Sequence, residues 1–282
     1  MEKVIRTIAS LSAFLILFVA TKSCSGDDRI LRARDGKAIT FTTMIEDIRN
    51  AKVIFVGETH DSKRDHEFQL AIIKSLHRSG VPSAIGLEMF RAESQNLLDQ
   101  WVGGSLELKG FLKVYQDNWG GAWPLYKDIF LYSRDNKIPM IGLNVPADIT
   151  RKVSREGFSS LTQEELKKLP PGISCKVDER YMDFIRRAYA VHGAAEKSFV
   201  NFCEAQMVWD KTMAWHLTEF QKKNPGRVVV VLAGVGHSWK RGIPEQMEEL
   251  AKVDYRVILP EIPGRVDRTI VLSHDADYIL LQ

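Results

Sequence analysis

Cysteine is scarce. Cys24, Cys175 and Cys203 are the only three in 282 residues, and no two form a Cys-x-x-Cys pair. That excludes a thiolate zinc ribbon and a dithiol redox motif. Cys175 and Cys203 remain open as either a disulfide or two buried thiols. An excess of one charge sign is also lacking. The 39 Lys and Arg stand against 36 Asp and Glu, a net charge of +3, with both signs mixed along the chain. So dispersed a balance gives no footprint for nucleic acid. No His-Glu-x-x-His zinc helix is present. Gly234-Val-Gly236 is not a dinucleotide fingerprint either, because the third glycine would fall at position 239, which is Trp239. Internal repeats and low-complexity tracts are absent. The N-terminal apolar run, Ile8–Ala20, is 13 residues long, short of the roughly 20 that a bilayer-spanning helix needs.

That short run carries a different message. Lys3 and Arg6 precede it, and Thr21-Lys22-Ser23-Cys24 follows it. A positive end, a short apolar core and a small residue before a cut site describe an export signal. Residues 1–23 are expected to be a signal peptide of the lipoprotein type, with Cys24 as the lipid-bearing residue and plain secretory cleavage as the alternative. Ser25, where an Asp would hold such a protein back, points to the outer membrane of a bacterial envelope. Residues 24–38 read as a tether or a short edge hairpin with its turn at Asp35-Gly36.

The remainder has the 45% hydrophobic content of a globular chain with a sizeable core. Val53-Ile-Phe-Val56 reads as a strand buried on both faces, Gly57 breaks the run, and Glu58-Thr59-His60-Asp61 follows at once. The pattern then repeats. Ser83–Glu88, Lys137–Leu143, Val228–Ala233 and Tyr255–Leu259 are further apolar runs, while Thr269–Leu272 and Tyr278–Leu281 are candidate edge strands. Helical spacing separates them: Thr42 or Thr43 to Ala51, Ser62–Ser79 with Gly80 as its stop, Ala92–Trp101, and a helix opened by Pro124 that runs to Asn136. The expected fold is α/β, a mostly parallel open sheet with flanking helices and a helical insertion serving as a lid. Residues 39–146 and 225–282 form the α/β domain in this reading. Residues 147–224 form the insertion, with helices over Asp178–His192 and Glu196–Lys223 and a break at Pro170-Pro171-Gly172.

In an open parallel sheet, ligands sit beyond the carboxyl ends of the strands. Four runs here end in polar residues: Glu58 with His60, Glu88, Asn144, and His237 after the Gly-x-Gly turn. Each has a structural reading, as a helix cap or a carboxylate satisfying loop amides. Four on one edge argue for a single site. His66 and Gln69 share a face of the next helix and can reach the same crevice. On the long insertion helix, Gln206 and Asp210 face either the crevice or solvent. Trp119, Trp123, Tyr126, Tyr181, Tyr189 and Trp239 are aromatics suited to a core or to a flat apolar ligand.

Taken in order, Gly57-Glu58-Thr59-His60, His66 and Gln69, Leu87-Glu88-Met89-Phe90, Trp123-Pro-Leu-Tyr126, Gln206…Asp210…Met213-Ala214 and Gly234-x-Gly236-His237 resemble the ChaN family of haem-binding, iron-regulated lipoproteins. That family shares a clan with the Tiki peptidases, the TraB proteins and the erythromycin esterases. The resemblance implies haem at a dimer interface, two haems stacked face to face, each iron held by a tyrosinate. Tyr181, Tyr189 and Tyr126 are the candidate ligands here, with His60, His66 and His237 nearby and Arg186 or Arg187 for a propionate. An anionic oxygen suits ferric iron. The clan implies an alternative, a metal-assisted esterase or peptidase. In it Glu58, His60, Glu88 and His237 would be both the catalytic residues and the ligands of a divalent metal.

Overall fold

The structure is a computed structural model that describes residues 30–189, 196–269, 271 and 273–282. The signal sequence, Cys24, His192 and the first residues of the tether lie outside the described residues.

Eight strands form one sheet in the order β2-β1-β8-β7-β3-β6-β4-β5. They are β1 (Ile30–Arg32), β2 (Lys37–Ile39), β3 (Val53–Glu58), β4 (Ser83–Arg91), β5 (Met140–Asn144), β6 (Val228–Gly234), β7 (Tyr255–Pro260) and β8 (Tyr278–Leu280). From β8 to β5 every pairing is parallel; β1 and β2 add an antiparallel hairpin at one edge, turning at Asp35-Gly36. The helices are α1 (Phe41–Ile48), α2 (Lys63–Arg78), α3 (Gln95–Gly103), α4 (Leu108–Asn118), α5 (Trp123–Asp135), α6 (Ala147–Glu156), α7 (Gln163–Leu166), α8 (Glu179–Tyr189), α9 (Glu196–Lys223), α10 (Val235–Ser238) and α11 (Ile243–Leu250).

Side chains alternate across a strand, so a doubly covered sheet needs apolar residues at every position. Strand β3 shows this. Ile54 and Val56 join the core beneath α1 to α5, while Val53 and Phe55 join the opposite core beneath α8, α9 and α11. Strand β6 divides likewise, Val230 and Leu232 against Val229, Val231 and Ala233. A smaller cluster joins α6 and α9 through Ile149, Val153, Ala205 and Val208. Helices α6 and α9 therefore pack on each other by an apolar stripe of their own.

Local chemistry sets the boundaries. Ser62 caps α2 by accepting from the Asp65 amide, and Gly80 leaves the helix at φ 72°, a conformation that costs a glycine least. Pro124 stands in the first turn of α5. The third apolar run begins as a strand only at Met140, not at Lys137. Lys137 takes φ 53° to close the turn after α5, and Pro139 has no amide to give a ladder. Thr269–Leu272 forms no strand in its described residues. Asp267 takes both the amide and the hydroxyl of Thr269, at 2.8 and 2.5 Å, and holds a turn instead. The helix expected over Ala92–Trp101 starts as a 3-10 turn and becomes α3 at Gln95, because β4 runs on to Arg91.

Candidate functional site

The carboxyl ends of β3, β4 and β6 lie side by side, with Glu58 opposite Gly234 in the β3–β6 register. Glu58 is buried at 1% exposure yet surrounded by donors. Its Oε1 lies 2.9 Å from His60 Nδ1 and accepts from the Tyr126 hydroxyl at 2.5 Å; its Oε2 accepts from Gln69 Nε2 at 2.8 Å. His66 Nε2 stands 3.4 Å from the same Oε2, with its ring edge-on to Tyr126. Burial pushes the Glu58 carboxyl up, but the bonds from His60, His66 and Tyr126 outweigh it and hold it down at about 2. Glu58 is thus a carboxylate kept charged by its own cage.

A second chain of groups meets the first. Glu88 Oε2 accepts from the Gly234 amide at 2.5 Å, and its Oε1 lies 3.7 Å from His237 Nε2. The other nitrogen of His237 lies 2.7 Å from Asp210 Oδ1, and the Tyr181 hydroxyl donates to Asp210 Oδ2 at 3.2 Å. Burial opposes a charge on His237, but Glu88 and Asp210 more than offset it and raise it to about 9. His60 closes the gap between the chains. A Cβ on Gly234 would stand 2.9 Å from its Cε1 and 3.6 Å from Glu88 Oε2. Only glycine lets that imidazole approach the strand end so closely.

Glu58, His60, His66, Glu88 and His237 are therefore brought together, and Asn144 is not one of them. Its amide donates to the Glu88 carbonyl at 2.6 Å and its oxygen accepts from the Val145 amide, fastening β5 to β4. Asp210, whose sequence setting fits a solvated face equally well, is buried at 1% exposure and orients His237. Two imidazoles, each anchored at Nδ1 by a buried carboxylate with Nε2 near Glu88, can hold and move a proton. As a metal site the set is less suited. Among the described residues no three His, Cys, Asp or Glu side chains are arranged to hold a metal ion. Cys175 and Cys203 are free thiols, pushed up to about 12 by burial.

Residues 44–247 match the haem-binding uptake family of the Tiki superfamily, ChaN. The chain belongs to this family. No curated protein sequence matches it. Among solved structures it is similar to one of cofacial heme binding to ChaN of Campylobacter jejuni, with TM-score 0.70 and 21% identity over 89% of this chain and 95% of that one. It also shares its fold with the type III effector HopBA1, at TM-score 0.51 and 10% identity over 85% and 91% of the two chains. An erythromycin esterase mutant in its open conformation gives TM-score 0.50 and 14% identity over 82% and 76%.

The three tyrosines named from the ChaN resemblance have different settings. Tyr126 is sealed in the core, with its hydroxyl given to Glu58. Tyr181 is buried, with its hydroxyl given to Asp210. Tyr189 is half-buried at the last turn of α8, lies edge-on to His237 and Phe202, and among the described residues gives its hydroxyl to no hydrogen-bond partner. Its phenol rests on the backbone of Gly236, where a Cβ would lie 2.5 Å from Cζ and 2.6 Å from the hydroxyl.

Proposed function

We propose that this protein binds haem through Tyr189, as part of iron or haem acquisition in a bacterial envelope. The family match motivates the ligand. The observation that carries the assignment is the contrast among the three tyrosines: iron at Tyr126 or Tyr181 would strip a buried carboxylate of its donor, whereas the hydroxyl of half-buried Tyr189 is uncommitted among the described residues. Haem would supply a ferric iron that accepts the phenolate oxygen. Everything else falls to the chain. Tyr189 and Trp209 flank His237 with aromatic surface for a flat ligand, and Asp210 holds that imidazole in place.

Burial, followed by the charges of Asp210 and Glu88, pushes the Tyr189 phenol far above its ordinary value. Its proton must leave for an iron–oxygen bond to form, so affinity is expected to rise with pH. Hemin titrated into the purified protein should give a Soret band and a tyrosinate charge-transfer band. Tyr189→Phe should lose the latter, while Tyr126→Phe and Tyr181→Phe should keep it. A flat titration of folded wild-type protein sinks the proposal.

We propose further that the chain is exported and anchored by lipid at Cys24, supported by the charge and apolar pattern of residues 1–24. Mass spectrometry of the cell-extracted protein should find an acylated Cys24 as the mature N-terminus. An unmodified mature chain starting elsewhere would remove the anchor.

A further inference from the structure

The last turn of α8 is fastened to its surroundings by charged and polar bonds. The Arg186 guanidinium pairs with Asp183 at 2.8 Å and lies 4.5 Å from the Phe199 ring centre. Arg187 lies 4.6 Å over the Trp239 ring and is held by the fully buried Asp275. The Arg265 guanidinium donates to the Ala188 carbonyl. The two arginines that the sequence offered for a propionate are therefore bonded within the fold.

Tyr189 ends that turn and is held differently. Its ring stands edge-on to Phe202 of α9 and to His237 of α10, with centroids 5.6 and 6.1 Å away. Its oxygen end lies on Gly236. The three atoms that a Cβ there would meet first are Cζ at 2.5 Å, the hydroxyl oxygen at 2.6 Å and Cε2 at 2.7 Å, all of Tyr189. Among the described residues no hydrogen bond fixes that hydroxyl. Packing alone keeps the ring where it is.

That position does not suit a metal ligand. A porphyrin lies across the bond from its iron to an axial oxygen, so the macrocycle needs room on every side of that oxygen. Here one side is filled by the α10 backbone, so close that a single methyl would overlap the hydroxyl. Resting on the haem reading above, we infer that Tyr189 is stowed in the ligand-free chain and that its phenol must turn off Gly236 before it can take iron. The α8–α10 contact is then autoinhibitory. The bonds of Arg187 and Arg265 keep the turn docked while the side chain moves between staggered χ1 wells. Only the released fraction is competent, and the observed affinity is reduced by that fraction. The competing account is that the ring already stands ready and Gly236 supports it.

Gly236→Ala separates the two accounts. Gly236 lies in a helical turn without a positive φ, so alanine suits its backbone and the added methyl acts on the ring. A stowed ring predicts that the variant binds hemin about tenfold or more tightly than wild type with its tyrosinate band kept, as when a state populated to at most about 10% becomes the major one. A supporting glycine predicts weaker binding, and an affinity that is unchanged or weaker in the folded variant overturns the inference. The thermal midpoint and circular dichroism of the variant report its folding. A second measurement needs no variant. In wild-type protein with labelled tyrosine, nuclear Overhauser contacts from the Tyr189 ring to the Gly236 Hα should be present without ligand. They should vanish with gallium protoporphyrin IX, a diamagnetic trivalent stand-in for haem. Contacts that persist in that complex also overturn the inference. If neither protein gives a tyrosinate band with hemin, the haem reading itself falls and the stowed ligand with it. That outcome is distinct from a band in both proteins without a gain in affinity, which removes the stowed state alone.

Discussion

Glu58 is charged, almost without contact with water, and held by donors from three segments: His60 on its own loop, Gln69 on α2, and Tyr126 on α5, with the His66 ring 3.4 Å away. Such a group is costly to neutralise once its cage is built. Glu58→Gln would set an amide against donors that need an acceptor, and a loss of about 2–4 kcal/mol is expected in a urea titration. The pH dependence follows from the sign of its shift. The native carboxyl is lowered from 4.5 to about 2, so its contribution is complete above about 4.5 and is lost as pH falls toward 2. The stability gap between wild type and Glu58→Gln should therefore close over that acid range. His237 behaves oppositely. It is raised from 6.5 to about 9, so its contribution is present below 6.5 and is lost as pH rises through 9. Asp210→Asn should move the His237 resonance midpoint downward, a shift readable by proton NMR. A midpoint that stays put would mean Glu88 alone holds the charge.

At the level of elements, Tyr189 and Gly236 form the contact by which the end of α8 rests on α10. The α10 backbone accepts the phenol face because position 236 has no side chain. Gly236→Ala should push Tyr189 away, cost about 1–3 kcal/mol, and speed amide exchange along α8 more than along α2. Equal exchange in both helices would show that the ring does not hold α8. This contact also marks where sequence reading stopped. The strand ends were legible because an apolar run followed by Glu or His is a local pattern, and helices between the runs required a parallel sheet. Four of the five polar strand-end residues reached the site; Asn144 did not, because its amide serves the Glu88 carbonyl. Asp210 was ambiguous, since the faces of a 28-residue helix packed by several neighbours cannot be told apart from spacing. Helix α4 went unread, although Phe111 and Tyr115 fall one turn apart and both are buried. The bond from the Arg265 guanidinium to the Ala188 carbonyl, 77 residues earlier in the chain, is a contact that no local pattern reports.

For the whole molecule, the consequence of a ligand at Tyr189 is a new surface. A porphyrin held by a single protein oxygen keeps its other face toward water, an apolar disc that one subunit does not cover. Two such discs bury each other when two copies meet, and hydrophobic area removed from water is favourable at roughly 25 cal/mol per Å². On the proposed haem reading, dimerisation would be a property of the loaded protein rather than of the chain, linked to haem by mass action. Sedimentation velocity should find monomer without hemin and dimer at one hemin per chain. Tyr189→Phe should shift the dimer to higher hemin concentration. A dimer that is equally populated with and without hemin would place the subunit contact on protein surface and detach it from the tyrosine at the end of α8.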